Sequence, residues 1–160
     1  MSKISNIEDV PLNCIRPSRF QVRETFKQDD LEALARSFQE GALSQPILLR
    51  PVAANPEGAR DASGQPLPAY EVISGELRLR AAKLLGWTTI RSIVEEMTDR
   101  EAAMRGFDEN EQRHELNIVE RAKGYKMLIG EPCNLSQDAI AARMGLKDNS
   151  TVSRTRSVGV

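Results

Sequence analysis

A glycine between a predicted strand and a predicted helix constrains this chain most. Residues 69–74 form an apolar strand candidate, and the run Gly75-Glu76-Leu77-Arg78-Leu79-Arg80 follows it directly and opens a helix that ends at Gly86. Helix N-terminal amides and guanidinium groups bind phosphate oxygens. A second run, Glu109-Asn110-Glu111-Gln112-Arg113, sets oxygen ligands of the kind that Mg²⁺ prefers beside an arginine. Together the two runs predict a site for a nucleoside triphosphate with Mg²⁺.

The rest of the first half alternates between strand and helix patterns. A helix is predicted to begin at Asp29 or Asp30, one of which serves as its N-cap, and to end at Gly41. The helix that opens at Gly75 is predicted to bury one stripe of apolar residues, Leu77, Ala81, Leu84 and Leu85. Strands are predicted at residues 10–15, 47–50, 69–74 and 89–94.

The second half shows helix signals only. Thr98 and Glu101 have the spacing of a capping box, so a helix is predicted to begin there and to include the second run. Asn117 and Ser136 are the N-cap candidates of two further helices. The fold class is therefore α+β, with an α/β domain over residues 1–96 and an all-α region over residues 97–160.

The end of the chain has the pattern of a helix-turn-helix. A short helix turns at Gly145, and a second is predicted to start near Asn149 or Ser150 with Val152 facing inward. That helix has barely three turns before Val160, so we expect this region to be truncated at its C-terminus. Residues 136–160 carry four basic and two acidic side chains, a weak basic excess that suits phosphate contact. The candidate DNA contacts are Ser150, Thr151, Ser153, Arg154 and Arg156.

Composition excludes several classes of protein. With 40% hydrophobic and 28% charged residues, the chain has the composition of an ordinary globular protein. Its two cysteines, Cys14 and Cys133, form no Cys-x-x-Cys pair, and His114 is the sole histidine, so a zinc site is not expected. No apolar run approaches the roughly 18 residues of a membrane span, so no membrane partner is expected and the cytoplasm is the predicted location.

Four ordered motifs resemble those of the ParB family of chromosome and plasmid partition proteins. They stand here as Gln21-Val22-Arg23, Gly41-Ala42-Leu43-Ser44-Gln45-Pro46-Ile47, Gly75-Glu76-Leu77-Arg78-Leu79-Arg80-Ala81 and Glu109-Asn110-Glu111-Gln112-Arg113. The helix-turn-helix follows them, so the resemblance covers most of the chain. It implies a ParB/sulfiredoxin-like nucleotide-binding domain over residues 1–96 and a DNA-binding helical region after it.

The resemblance also implies a function and its residues. Family members bind CTP with Mg²⁺ and recognise a palindromic site on double-stranded DNA. Two protomers then self-associate through their N-terminal domains into a clamp that slides on DNA, slow CTP hydrolysis resets the clamp, and a ParA-type ATPase is the usual partner. A nucleoid or plasmid location follows. Glu109 and Asn110 are the implied metal ligands, and Glu109 and Arg78 the implied catalytic residues. The implied CTP contacts are Gln21, Arg23, Ser44, Gln45, Gly75, Glu76, Arg78, Arg80, Asn110 and Arg113.

Alternatives stay open at this point. Leu77 stands where the family has an arginine, which favours a DNA-binding regulator of the same fold that has lost nucleotide control. A metal-dependent nuclease would require Glu76, Glu109 and Glu111 to converge, and a sulfiredoxin-like enzyme would require a cysteine beside Gly75. Arg113 could instead only pair with Glu109 at i+4, and the loop residues 21–23 could be structural.

Overall fold

The structure is a computed structural model that describes residues 6–41, 45–56 and 58–158. It divides into two compact units. Residues up to 19 and residues 25–96 form the first, and residues 20–24 together with residues from 97 onward form the second. The first unit holds all the described strands and the second holds helices only, so the predicted α+β class is confirmed.

A five-stranded mixed sheet forms the centre of the first unit, in the order β1-β5-β3-β4-β2. Strand β1 pairs antiparallel with β5, β3 pairs parallel with β5 and antiparallel with β4, and β2 pairs parallel with β4. The strands are β1 (Ile7–Pro11), β2 (Ile15–Arg16), β3 (Ile47–Pro51), β4 (Tyr70–Ser74) and β5 (Thr89–Val94).

The predicted strand over residues 10–15 is wrong. Leu12–Cys14 form a 3₁₀ turn, which ends β1 at Pro11 and sends the chain to the opposite edge of the sheet as β2. Pro11 has no N–H to donate to a ladder, and its fixed φ suits the start of a turn. The Cys14 side chain consequently belongs to the turn and is only half-buried.

Two helices, α1 (Gln28–Gln39) and α2 (Glu76–Leu84), complete the first unit. Helix α1 begins after Lys27, so the predicted N-caps Asp29 and Asp30 are wrong and these residues lie in the first turn. Carboxylates are favourable there because the N-terminal end of a helix dipole is positive.

Helix α2 buries its predicted apolar stripe only in part, because Ala81 is buried and Leu85 packs against the same cluster but Leu84 is exposed. Its buried residues are Leu79, Ala81 and Ala82, whereas Leu84 is 54% exposed. Leu79 and Ala82 join the core of the sheet, and Ala81 joins a separate cluster with Ala35 and Phe38 of α1. Helix α2 is therefore buried on two sides, which a single stripe does not describe.

The second unit is built from four helices: α3 (Asp99–Gln112), α4 (Ile118–Ile129), α5 (Gln137–Arg143) and α6 (Ser150–Arg156). The predicted capping box of Thr98 and Glu101 is confirmed, and Asn117 forms a second one with Glu120. Helices α3 and α4 pack closely where Phe107 lies over Gly124, so closely that a Cβ on Gly124 would lie 2.1 Å from the phenyl ring. Within the described residues, no helix is both long enough and apolar enough to cross a membrane.

The helix-turn-helix pattern is present in this unit. Ser136 caps α5 by accepting a hydrogen bond from the Ala139 amide, and Gly145 has the positive φ of the predicted turn. Val152 of α6 is fully buried, as predicted. Helices α5 and α6 therefore share one core with α3 and α4.

Candidate functional site

The first predicted motif starts at a left-handed turn between β4 and α2. Gly75 has φ +102°, a conformation that L side chains rarely adopt, and it precedes the first residue of α2. A Cβ at this position would lie 2.6 Å from the Ile47 side chain. Both the backbone conformation and the close approach of β3 therefore require glycine here.

Arg78 connects α2 with the segment that leads into β3. Its Nη1 donates to the carbonyl oxygens of Gln45 at 2.8 Å and Pro46 at 2.9 Å. The predicted nucleotide contacts Gly75, Arg78 and Gln45 thus lie close together in the first unit. Ser44, another predicted contact, lies outside the described residues.

Arg80 is held between a carboxylate and an aromatic ring. Its Nε donates to Glu76 Oε1 at 3.0 Å, and its guanidinium carbon lies 3.9 Å from the centre of the Phe26 ring. The other carboxylate oxygen of Glu76 is buried without a hydrogen-bond partner in the described structure. The predicted residues Glu76 and Arg80 therefore form one group, and Phe26 is a member that no sequence pattern indicates.

A buried cluster of charges fixes the sheet near this motif's strand. Glu71 of β4 has no exposed surface and accepts from the Arg19 amide, from Arg16 Nη2 and from both Nε and Nη2 of Arg50. Burial by itself raises the pKa of the Glu71 carboxyl, but these hydrogen bonds outweigh it and the net pKa lies below the ordinary value. The cluster is structural, and sequence analysis missed it.

The second predicted motif lies at the C-terminal end of α3. Arg113 Nη2 lies 3.2 Å from Glu109 Oε1, so the i+4 pair that sequence analysis left open is present. Asn110 Nδ2 donates to the Gly106 carbonyl at 2.9 Å, which leaves the amide oxygen as an acceptor. Glu111 pairs with Arg121 of α4 at 2.9 Å. A carboxylate and an amide oxygen suit Mg²⁺, which takes few protein ligands and shares substrate phosphates.

Residues 20–24, which we call the strap, belong to the second unit. Val22 is buried in the same core as Phe107. Gln21 Nε2 donates to the Arg23 carbonyl at 3.1 Å, and Arg23 Nη1 lies 2.7 Å from Glu115 Oε2. The predicted contacts Gln21 and Arg23 therefore lie in the same unit as Asn110 and Arg113.

The candidate DNA contacts divide by exposure. Ser150, Thr151 and Arg154 are exposed on α6, whereas Ser153 and Arg156 are half-buried. The start of α6 is held by Asp148, whose Oδ1 accepts from the Ser150 amide at 2.8 Å. The residues most accessible to a phosphate or a base edge are therefore Ser150, Thr151 and Arg154.

Among the described residues, no acidic cluster supports nuclease chemistry. In the part of the chain that the structure describes, no group of three or more His, Cys, Asp or Glu residues is arranged to hold a metal ion. Glu109 and Glu111 are instead each paired with an arginine. A nuclease that depends on clustered carboxylates is therefore not favoured.

Comparison with known proteins identifies relatives along most of the chain. A nucleoid occlusion protein of Lysinibacillus sphaericus (strain C3-41) is 38% identical over 143 residues, which are 89% of this chain and 43% of the relative. A second one, from Bacillus pumilus (strain SAFR-032), is 38% identical over 146 residues, 91% of this chain and 45% of the relative. The chain thus spans less than half the length of these curated relatives.

Two solved structures of a C-terminally truncated chromosome-partitioning protein ParB from Caulobacter crescentus share the fold. The one complexed to the centromeric parS site has a TM-score of 0.61 and 32% identity, covering 92% of this chain and 69% of that one. The one complexed with CTP-γ-S has a TM-score of 0.55 and 33% identity, covering 94% and 76%. The family model described as the ParB N-terminal domain matches residues 1–111. The chain therefore belongs to the ParB family, as its ordered motifs predict.

Proposed function

We propose that this chain is a CTP-dependent DNA-binding switch of a partition or nucleoid occlusion protein. The observation that carries the proposal is the left-handed turn at Gly75, which opens α2 beside Arg78 and Arg80. A related protein of known structure binds a CTP analogue, and another structure of it holds parS DNA. Both similarities support the proposal.

The first unit supplies the triphosphate contacts in this proposal. The amides that follow Gly75 point along the positive end of the α2 dipole and suit phosphate oxygens. Arg80 is prepositioned by Glu76 and Phe26, so its guanidinium loses less side-chain entropy on binding. Arg78 stabilises charge on the phosphates and also fixes the carbonyls of the loop that carries Gln45.

The second unit supplies the metal ligands and the remaining contacts. Glu109 and Asn110 would hold Mg²⁺, which when bound neutralises phosphate charge and assists attack by water. Arg113, which pairs with Glu109, stabilises charge near the phosphates, and Gln21 and Arg23 of the strap border the base and sugar. Glu109 also orients the attacking water. We expect hydrolysis to be slow, as suits a switch.

DNA binding is assigned to α6 and to its exposed residues Ser150, Thr151 and Arg154, with Ser153 and Arg156 at their margin. The proposal includes a palindromic double-stranded site, N-terminal self-association of two protomers into a sliding clamp and a ParA-type ATPase partner. It places the protein in the cytoplasm, on the nucleoid or a plasmid.

Calorimetric titration with CTP in Mg²⁺ buffer tests the nucleotide assignment, with ATP and GTP as competitors for selectivity. We expect selective CTP binding by the wild type and loss of at least tenfold in affinity for Arg78→Ala, because one charge-assisted phosphate contact is removed. Lys83→Ala is the matched control, since Lys83 is an exposed cation in the last turn of the same helix. Equal loss in both variants would contradict a specific role for Arg78.

Leu77 supports a second candidate, a nucleotide-independent DNA-binding regulator. Its side chain is half-buried and offers no charge where the family motif has an arginine. Absence of CTP binding by the wild-type chain, together with intact binding to a DNA site, would favour this candidate over the first.

A further inference from the structure

Two carboxylates outside the four family motifs, those of Glu115 and Glu120, hold the strap against the helices of its unit. Glu115 Oε2 lies 2.7 Å from Arg23 Nη1, and the two side chains are 26% and 11% exposed. Glu120 Oε1 accepts from the Glu24 amide at 2.8 Å, and Glu120 is 3% exposed. Glu24 adds an exposed pair with Lys123, which contributes little. Glu115 therefore holds a side chain of the strap, and Glu120 holds its backbone.

We propose that Glu115 and Glu120 are positioning residues for recognition of the nucleotide base. Glu115 fixes the guanidinium of Arg23, and Glu120 fixes the backbone immediately after it. The side-chain amide of Gln21 in turn donates to the Arg23 carbonyl. The orientation of the Gln21 side chain therefore also depends on Glu115 and Glu120. The inference rests on the proposed function, which assigns the base and sugar contacts to Gln21 and Arg23.

Glu120 performs two tasks with one carboxylate. Its Oε2 accepts from the Asn117 amide and closes the capping box of α4, while its Oε1 holds the strap. A glutamine has only one acceptor oxygen, so Glu120→Gln must give up one of these hydrogen bonds. Glu101 closes the capping box of α3 in the same way but is exposed. Glu101→Gln is therefore a matched control for the loss of a capping carboxylate.

The experiment compares binding of CTP, UTP and inorganic tripolyphosphate in Mg²⁺ buffer by calorimetry. CTP and UTP differ at the base, whereas tripolyphosphate reports on the phosphate contacts alone. We expect Glu115→Gln and Glu120→Gln to weaken CTP binding about tenfold and to narrow the preference for CTP over UTP, because a preorganised side chain is released. Tripolyphosphate binding should change less than twofold. Glu115→Asp should restore part of the preference, and Glu101→Gln should match the wild type.

The outcomes separate the inference from the function on which it rests. No CTP binding by the wild-type chain would overturn both. CTP binding by the wild type with an unchanged CTP to UTP ratio in Glu115→Gln would overturn the positioning role alone. Equal weakening of CTP and tripolyphosphate would also overturn it, because a general loss of structure acts on every ligand. Thermal melting by circular dichroism establishes whether each variant is folded. If Glu120→Gln does not fold, the result for Glu115→Gln alone tests the positioning role.

Discussion

Replacing Glu71 with glutamine should destabilise the first unit by about 3–5 kcal/mol, the range for removing one partner of a buried charge pair. The carboxylate is fully buried and lies 3.0 Å from Arg50 Nη2 and 3.2 Å from Arg16 Nη2, while the Arg19 amide donates at 2.8 Å. Glutamine keeps one acceptor oxygen but carries no charge, and its NH₂ group is a donor facing other donors. Because the Arg50 side chain is only 6% exposed, little water can reach its guanidinium to replace the lost carboxylate.

The pH dependence follows from the lowered pKa of Glu71. A carboxyl whose folded pKa lies below its unfolded value stabilises the fold above the unfolded value and loses that contribution as the pH falls through the folded pKa. The ordinary pKa of this carboxyl is 4.5, so the full difference in stability between the wild type and Glu71→Gln should be present at pH 7. The difference should shrink as the pH falls below about 4.5, where the unfolded carboxyl takes up a proton, and should be lost once the pH has passed the lower pKa of the folded carboxyl.

Tryptophan fluorescence during urea unfolding measures this difference in stability, because it reports on the first structural unit. Trp87 is the sole tryptophan of the chain and stacks on Phe38 in the first unit, with ring centroids 5.3 Å apart. With an m value of about 1.5 kcal/mol per M, a loss of about 3 kcal/mol lowers the midpoint by about 2 M. Glu8→Gln, at an exposed position of β1, is the control. A Glu71→Gln midpoint equal to that of the control, or a difference that does not vary with pH, would refute the reasoning.

Three glycine substitutions test the close packing. Gly124→Ala should destabilise the second unit by about 1–3 kcal/mol, because the Phe107 ring must move. In a thermal melt, adding Phe107→Leu to this variant should reverse part of the loss. If the effects of the two substitutions simply add, the contact is contradicted. Gly75→Ala should cost more than Gly64→Ala in urea unfolding, because both have positive φ but only Gly75 also meets Ile47. Equal losses would show that backbone strain alone acts.

Local signals account for what could be predicted from the sequence. The capping box of Thr98 and Glu101 needs only two residues at fixed spacing, and the structure contains both of its hydrogen bonds. The strand Thr89–Val94 was evident from its β-branched residues because that preference acts within the segment itself. The turn at Gly75 could be predicted for the same reason, because a glycine directly between an apolar strand pattern and a helix pattern is a local signal.

Pairing between distant segments accounts for what could not be predicted. The strands β1 and β2 are close in sequence around Pro11, yet β1 pairs with β5 and β2 pairs with β4. The break between them therefore depends on the pairing partners in the complete sheet and not on the local sequence. The strap is a similar case. The charges of Glu115 and Glu120 are visible in the sequence, but nothing in their spacing relates them to residues more than ninety positions earlier.

The arginines of the proposed nucleotide site differ in how easily they can exchange partners. Arg113 is paired with Glu109 on the surface of α3, where the two side chains are 49% and 25% exposed, and such a pair is worth at most about 1 kcal/mol. Arg23 is only 11% exposed in its pair with Glu115, so separating the two would leave a largely buried guanidinium without this carboxylate. A bound polyanion can therefore recruit Arg113 at small cost but must accept Arg23 where it lies. In the proposed switch we therefore expect Arg113 to exchange its partner when the nucleotide binds and Arg23 to keep its position beside the base.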